Sequence, residues 1–388
     1  MYVSSDFLYL CTNMRKCLPI IIYIVLPLML LSCRGVRESG SLGSRDHGDT
    51  IPLKYAEHLL MVRYKDYVEV TLKDPWHEGR STKYEIRSQG VKESRSQEVR
   101  KPLRRCVVFN TAHASLLQML GALDAVKGVA DVKYMNLPEV RRRVSKSEII
   151  DCGDSMNPDI EKIVELEADA IWLSPFENSG GYGRIEKLGI PLIECADYME
   201  TSALGRAEWM KFYGLLVGRE HEADSLFAEV ERRYWELKNR AHEKAAVRSV
   251  LTERLTGSVW YVPGGRSSMG KLLQDANGRY AWADDEHSGS LPLAFETILD
   301  RAGEADVWVF NYIGDEPLTY GRLALEFHGY RQLRAFREQH VYYVNSLQVP
   351  YFEEVSFRPD WLLEDYIKIL NSENPEEEHL RYLRKVRK

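Results

Sequence analysis

The chain has 388 residues, 44% of them hydrophobic and 28% charged, with a formal net charge of −6. That length holds two or three domains of ordinary size, and the apolar content is too high for a disordered chain. The lack of a long basic run beyond residues 141–143 argues against a nucleic-acid partner. The first element in chain order is a leader. Arg15 and Lys16 precede an apolar run from Leu18 to Leu31, interrupted by Pro19 and Pro27. Its 14 residues fall short of the roughly 20 that span a bilayer. They suit the core of a secretory signal, about 7–15 residues behind positive charge. Met14 fits as the start, with residues 1–13 an overhang.

The leader ends in "LLSC", which resembles the lipobox of bacterial lipoproteins, whose cysteine becomes the lipidated first residue of the mature chain. The resemblance implies a signal peptide and lipobox over residues 1–33, with Cys33 as the membrane anchor. A secretory signal with an incidental cysteine is the alternative. Residues 34–50, rich in Gly, Ser and charge, read as a flexible tether. Residues 51–104 read as a small β extension: Val68, Val70 and Leu72 alternate, and Tyr84 and Ile86 alternate again, as in a hairpin. Of the remaining cysteines, Cys106, Cys152 and Cys195 each sit beside an apolar β-type run without C-x-x-C spacing. They read as small core residues and not as a disulfide framework or metal cage.

From residue 105 short apolar strands alternate with helices, the pattern of a parallel sheet covered on both faces. "CVVF" passes through Thr111-Ala112-His113 into a helix at 113–123. Such a strand-to-helix mouth exposes backbone N–H groups and is where open α/β sheets bind ligands. Further strands are predicted at 149–153, 169–174 and 191–196, with helices at 157–167 and 181–189. This first lobe covers residues 105–200. A helical segment, 201–246, follows. Its second helix places Ala223, Leu226, Phe227, Val230, Tyr234 and Leu237 on one stripe. The βα rhythm restarts over 247–372 with strands at 305–311 and 341–345 and a closing amphipathic helix, "RPDWLLEDYIKIL". Residues 373–388 read as a charged tail. The fold class is therefore α/β: two Rossmann-like lobes with mostly parallel sheets, joined by one long helix.

The lobes echo each other. "NPDIEKIVELEADAIWL" and "PLAFETILDRAGEADVWVF" share a helix start, a glutamate, an acidic patch and an "AD" before an apolar strand, which sets Glu161 and Glu296 in matching places. Two matched lobes with a cleft between them form a clamp for a small molecule. Solvated acidic helix surfaces are the plainer alternative. With "CGDSMNPDIEKIVELEADAIW", "GLLVGREHEADSLFAEV" and "WYVPGG" in this order, the chain from about Val107 to Leu370 resembles the lipoprotein substrate-binding components of bacterial ABC importers for iron complexes, haem and cobalamin. Its hairpin and "ALGRAEWMKFY" look like an iron-complex subgroup from Bacteroidetes.

The resemblance implies that Glu161 and Glu296 meet arginines of the permease, and that a monomer held at the membrane on the periplasmic side delivers its ligand there. It also implies a cleft lined by the loops after the sheet strands, which carry Thr111, His113, Lys133, Tyr134, Asp154, Ser155, Phe176, Glu177, Trp260, Tyr261, Arg266 and Tyr312. Plainer roles stay open: His113 as a helix cap, Trp260 and Tyr261 as core, Arg266 as a solvated loop cation. An arginine on a Gly-rich loop suits an anionic ferric chelate, the leading ligand class. Haem needs a Tyr or His axial ligand, which His113, Tyr134, Tyr261 or Tyr312 supplies. Cobalamin stays an alternative beside haem, although the spots that hold a corrin in cobalamin-binding members lack aromatics here, near Asp154 and Ser290; a bare metal lacks further histidines beside His113. No resident cofactor or metal is expected. An enzyme is not expected either: G-x-S-x-G, H-E-x-x-H, G-x-G-x-x-G and the P-loop are all missing, which leaves a siderophore-processing hydrolase as the rival class.

Overall fold

The computed structural model describes residues 48–74, 76–77, 79–88, 98–176, 181–243, 248–372 and 379–388. The leader, Cys33, most of the tether and Glu177 lie outside the described residues. The chain opens with a five-stranded sheet in sequential order: β1 (Asp49–Ile51), β2 (Leu59–Arg63), β3 (Tyr67–Lys73), β4 (Ser81–Ser88) and β5 (Glu98–Lys101). Val68 pairs with Ile86 and Val70 with Tyr84, and all four are buried. The alternation thus folds as read, but the extension is larger than a hairpin. β1 takes up the end of the tether, and β2 and β5 flank the central pair. β5 escapes a periodicity reading because its four residues bury only Val99.

The first lobe runs β6 (Cys106–Val108), α1 (Thr111–Met119), β7 (Val126–Val129), α2 (Pro138–Ser145), β8 (Ile150–Asp151), a two-stranded ribbon of β9 (Gly153–Asp154) and β10 (Asn157–Pro158), α3 (Ile160–Glu165), β11 (Ala170–Leu173) and β12 (Leu192–Glu194). Its sheet has the order β12-β11-β6-β7-β8 and is parallel throughout. β6 and β11 are buried at every position, as strands covered on both faces must be. Then come α4 (Ala203–Glu208), α5 (Met210–Val217) and α6 (Glu220–His242). Gly218 caps α5 at φ 68, a left-handed turn that favours glycine and reverses the chain into α6. At about 1.5 Å per residue the 23 residues of α6 reach roughly 35 Å.

The second lobe runs β13 (Ser249–Thr252), β14 (Leu255–Thr256), β15 (Val259–Pro263), α7 (Ser268–Asp275), β16 (Arg279–Tyr280), β17 (Ser290–Leu293), α8 (Phe295–Ala302), β18 (Val307–Tyr312), α9 (Tyr320–Glu326), α10 (Arg334–Arg337), β19 (Val341–Asn345), α11 (Tyr351–Glu354), α12 (Pro359–Asn371) and β20 (Leu383–Lys385). The main sheet is β16-β13-β18-β19-β20, and β14-β15-β17 form a small sheet beside it. The end of the chain is no free tail: β20 pairs antiparallel with β19. Asp365 on α12 accepts from the backbone N–H of Arg381 (2.8 Å), Tyr382 (2.7 Å) and Leu383 (3.1 Å) and so brings the chain back to the sheet. Its charged composition hides three buried residues, Tyr382, Leu383 and Val386.

Two buried carboxylates fasten the N-terminal sheet to the helical segment. Glu208 accepts from the N–H groups of Lys54 (3.0 Å), Tyr55 (2.8 Å) and Ala56 (3.1 Å). Glu200 accepts from those of Glu57 (2.9 Å) and His58 (3.0 Å), and from Trp209 Nε1 (2.7 Å). Gly205 lies between them, where a Cβ would stand 2.8 Å from the Tyr55 carbonyl oxygen; only glycine lets the loop come so near. Hydrogen bonds to a charged acceptor contribute about 1.5–3 kcal/mol each. Glu208→Ala should therefore release residues 54–56 of this loop. In hydrogen exchange the amides of Lys54, Tyr55 and Ala56 should lose at least tenfold of their protection while those of β18 keep theirs. Unchanged protection at 54–56 would mean that the clamp does not hold this sheet.

Candidate functional site

Between the lobes lies a cavity of about 1200 Å³. It sits at the carboxyl ends of the parallel strands, where open α/β sheets bind ligands. One wall comes from the first lobe: Thr111 after β6, Tyr134 after β7, Ser155 in the ribbon and Phe176 after β11. Arg184 and, from α4, Arg206 add positive charge to it. The other wall carries Glu253 after β13, Ser267 and Ser268 at the start of α7, Ser290, Asn311 on β18, and Tyr351 and Phe352 on α11.

Of the cleft residues read from the sequence, Thr111, Tyr134, Ser155 and Phe176 are brought together here. Thr111 starts α1, whose cap is Asn110 accepting from Ala112 N (2.8 Å). The Thr111 hydroxyl donates to Glu353 Oε1 (3.0 Å). Ser155 donates to Asp131, and Lys133 Nζ lies 4.7 Å from the Tyr134 ring centre. Tyr134 is 59% exposed and Phe176 48%, so both rings offer apolar faces to a ligand.

The others are placed elsewhere. His113 is buried inside the first lobe, because α1 is enclosed at every position from Ala112 to Leu117. Trp260 is fully buried and donates to the Thr252 carbonyl (2.9 Å). Strand alternation in β15 then turns Tyr261 outward, exposed and away from the cavity. Tyr312 is buried, donating to the Glu316 carbonyl (3.3 Å). Asp154 folds back to accept from Met156 N (2.9 Å) within the ribbon. Arg266 faces Glu57 (3.8 Å) and Glu286 (3.6 Å) at the surface, the first of these on the N-terminal loop held by Glu200. Glu161 and Glu296 are each the second residue of their helix, α3 and α8, and both are exposed.

His113 nevertheless belongs to the site at one remove. Its Nε2 meets Asp197 Oδ1 at 2.8 Å and Tyr213 Oη at 3.2 Å. The Tyr213 hydroxyl donates to the same Asp197 oxygen (2.8 Å), and Arg206 Nε donates to Asp197 Oδ2 (3.2 Å). Burial opposes ionisation of Asp197, but His113, Arg206 and Tyr213 outweigh it and hold the carboxyl below its usual range. Burial also pulls the His113 imidazole down, while Cys195 and Asp197 outweigh that and raise it to about 10. On the other wall burial pushes the Glu253 carboxyl up to about 7, against a hydrogen bond from Asn311 and the charge of Arg254.

Arg206 and Glu253 escape a sequence reading for different reasons. Arg206 lies mid-helix with no strand before it to mark a cleft loop. Glu253 lies in "LTERL", a run that continues as a strand until its backbone turns to φ 63. Among the described residues no group of three or more His, Cys, Asp or Glu is placed to hold a metal ion.

Two α/β lobes clamping a solvent-accessible cavity define a solute-binding protein. A family model described as periplasmic binding protein matches residues 106–346, and the chain belongs to that family. An uncharacterised lipoprotein of Methanocaldococcus jannaschii is 29% identical over 218 residues, 54% of this chain and 52% of the relative, so the match spans about half of that protein. Among solved structures, an ABC-type Fe3+-hydroxamate transport system protein from Saccharomonospora viridis aligns over 78% of this chain and 99% of its own, with a TM-score of 0.57 and 18% identity. A periplasmic haem-binding protein from Pseudomonas aeruginosa aligns over 74% and 98%, with a TM-score of 0.55 and 13% identity. At such identities the likeness is one of fold.

The Asp197 cluster makes stability depend on pH from both sides. The raised His113 contributes fully below its unfolded value of 6.5 and loses its contribution as pH rises through about 10. The lowered Asp197 contributes above 3.8 and loses it as pH falls through its folded value. Asp197→Asn should remove roughly 3–5 kcal/mol at pH 6, the usual loss when one partner of a buried pair is taken away. In urea unfolding the gap between wild type and variant should narrow towards pH 10 and below pH 3. A gap that is constant with pH would show that the cluster is not ionised.

Proposed function

We propose that this chain is the capture component of an ABC importer for ferric chelates, anchored through a lipid on Cys33 on the periplasmic side of the membrane and acting as a monomer. The observation that carries the reading is Arg206, a guanidinium on the cleft wall braced from behind by buried Asp197. A positive side chain in a large half-apolar cavity suits an anionic, oxygen-rich iron complex. One structural neighbour, the Fe3+-hydroxamate transport system protein, agrees with this class. Haem is the second reading, favoured by Tyr134, whose exposed phenol on the wall is an axial-ligand type; the haem-binding neighbour supports it. Glu161 and Glu296, exposed in matching helices, are the proposed contacts with the permease.

Protein purified from iron-replete culture should carry, or take up, one ferric hydroxamate or haem, seen in its visible spectrum. Arg206→Ala should weaken that binding roughly ten- to hundredfold, as expected for loss of about 1.5–3 kcal/mol from a charged contact. No spectral change with either ligand class, or an unchanged affinity in the variant, would remove the basis of the assignment.

A second measurement separates the importer from a free-standing binder. Reversing both Glu161 and Glu296 to Lys should leave melting temperature and ligand affinity nearly as they are, since exposed carboxylates contribute about 0–1 kcal/mol. Association with permease-containing membranes should fall sharply and lose its salt dependence. Normal uptake with the double variant would rule these two residues out as docking contacts.

A further inference from the structure

The wall opposite Arg206 has the reverse chemistry. Glu253 follows β13 at φ 63, in the left-handed region that side-chain-bearing residues rarely occupy unless their surroundings impose it. It is pinned there from both sides: its N–H donates to the Val309 carbonyl (2.8 Å), and its carbonyl accepts from Trp308 Nε1 (2.6 Å). The side chain lines the cavity and accepts from the Asn311 backbone N–H and, by a long bond, from Asn311 Nδ2 (3.4 Å). That bond orients the amide and leaves Asn311 Oδ1 buried without a partner among the described residues. The adjacent cation, Arg254, is engaged with Glu326 (2.5 Å).

This wall therefore offers a carboxylate met by Asn311 and, among the described residues, by no cation in contact, and a carboxylate so placed ordinarily takes more partners. Burial pushing the carboxyl up to about 7 agrees with a missing countercharge. One carboxylate is too little for Ca2+, which takes 6–8 oxygens. It matches an alkylammonium, a point charge with three donors.

We propose that Glu253, positioned by Asn311, forms a subsite for a protonated amine arm of the ligand, so that the cleft selects ferric chelates carrying an ammonium group as well as anionic oxygens. Arg184 and Arg206 on the opposite wall would face the oxygen-rich iron centre while the arm reaches Glu253. The subsite rests on the reading of the chain as a chelate-capture protein.

The test compares ferrioxamine B, a ferric trihydroxamate with a free ammonium, with its N-acetylated form, by tryptophan quenching at pH 8. Wild-type protein should bind the ammonium form at least tenfold more tightly. Glu253→Gln should abolish that preference and bind the acetylated form as the wild type does. Equal wild-type affinities, which need no variant to measure, or a preference that survives Glu253→Gln, would overturn the subsite. Binding of haem or another ferric chelate, with neither ferrioxamine bound, would overturn the subsite and leave the importer reading standing. If no iron chelate or haem binds at all, both fall.

Discussion

Asp197 lies wholly inside the first lobe, and its two oxygens take donors from three separate helices: His113 on α1, Arg206 on α4 and Tyr213 on α5. A carboxylate alone in such a place would be expelled or protonated, because burying an unpaired charge is expensive. Here two cationic groups share it, and the cluster is left with positive charge to spare. That surplus resides on Arg206, the member that reaches the cleft wall. The same bonds fix the angle at which α4 and α5 leave the sheet, and hence the direction of α6 towards the second lobe.

Buried carboxylates recur as fasteners elsewhere in the chain. Glu200 and Glu208 hold the N-terminal sheet, and Asp365 holds the C-terminal strand, each by accepting from successive backbone N–H groups. Glu353 on α11 does the same across the seam between lobes: its Oε1 takes Thr111 Oγ1 (3.0 Å) and Asn136 N (2.7 Å) from the first lobe. The lobes are thus joined at this seam as well as through α6, which itself packs on α12. Thr111 and Tyr351 both line the cavity, so the seam forms part of its floor.

Much of the fold was legible because the physics behind it is local. Strands buried on both faces read as unbroken apolar runs, as at 106–108 and 170–173, and the stripe on α6 kept helical period over its whole length. Matching glutamates in α3 and α8 were legible for the same reason, since each is fixed by its place in a repeated helix. Thr111, Tyr134, Ser155 and Phe176 came from the family resemblance and its rule that the loops after the sheet strands line the cleft. His113 and Tyr312 broke that rule by burial. Trp260 and Tyr261 were decided by which face of β15 turns inward, a choice that alternation permits either way.

By itself the sequence determined the main alternation of strands and helices and the division into two lobes, because these follow from periodicity and short-range turn chemistry. Only the tertiary structure decided which charges work together. Asp197 finds His113 across 84 positions and Glu353 finds Thr111 across 242; Glu208 captures the amide of Lys54 from 154 positions away. No periodicity encodes such pairings, since a buried carboxylate acquires its partners from whichever elements the packed core brings against it.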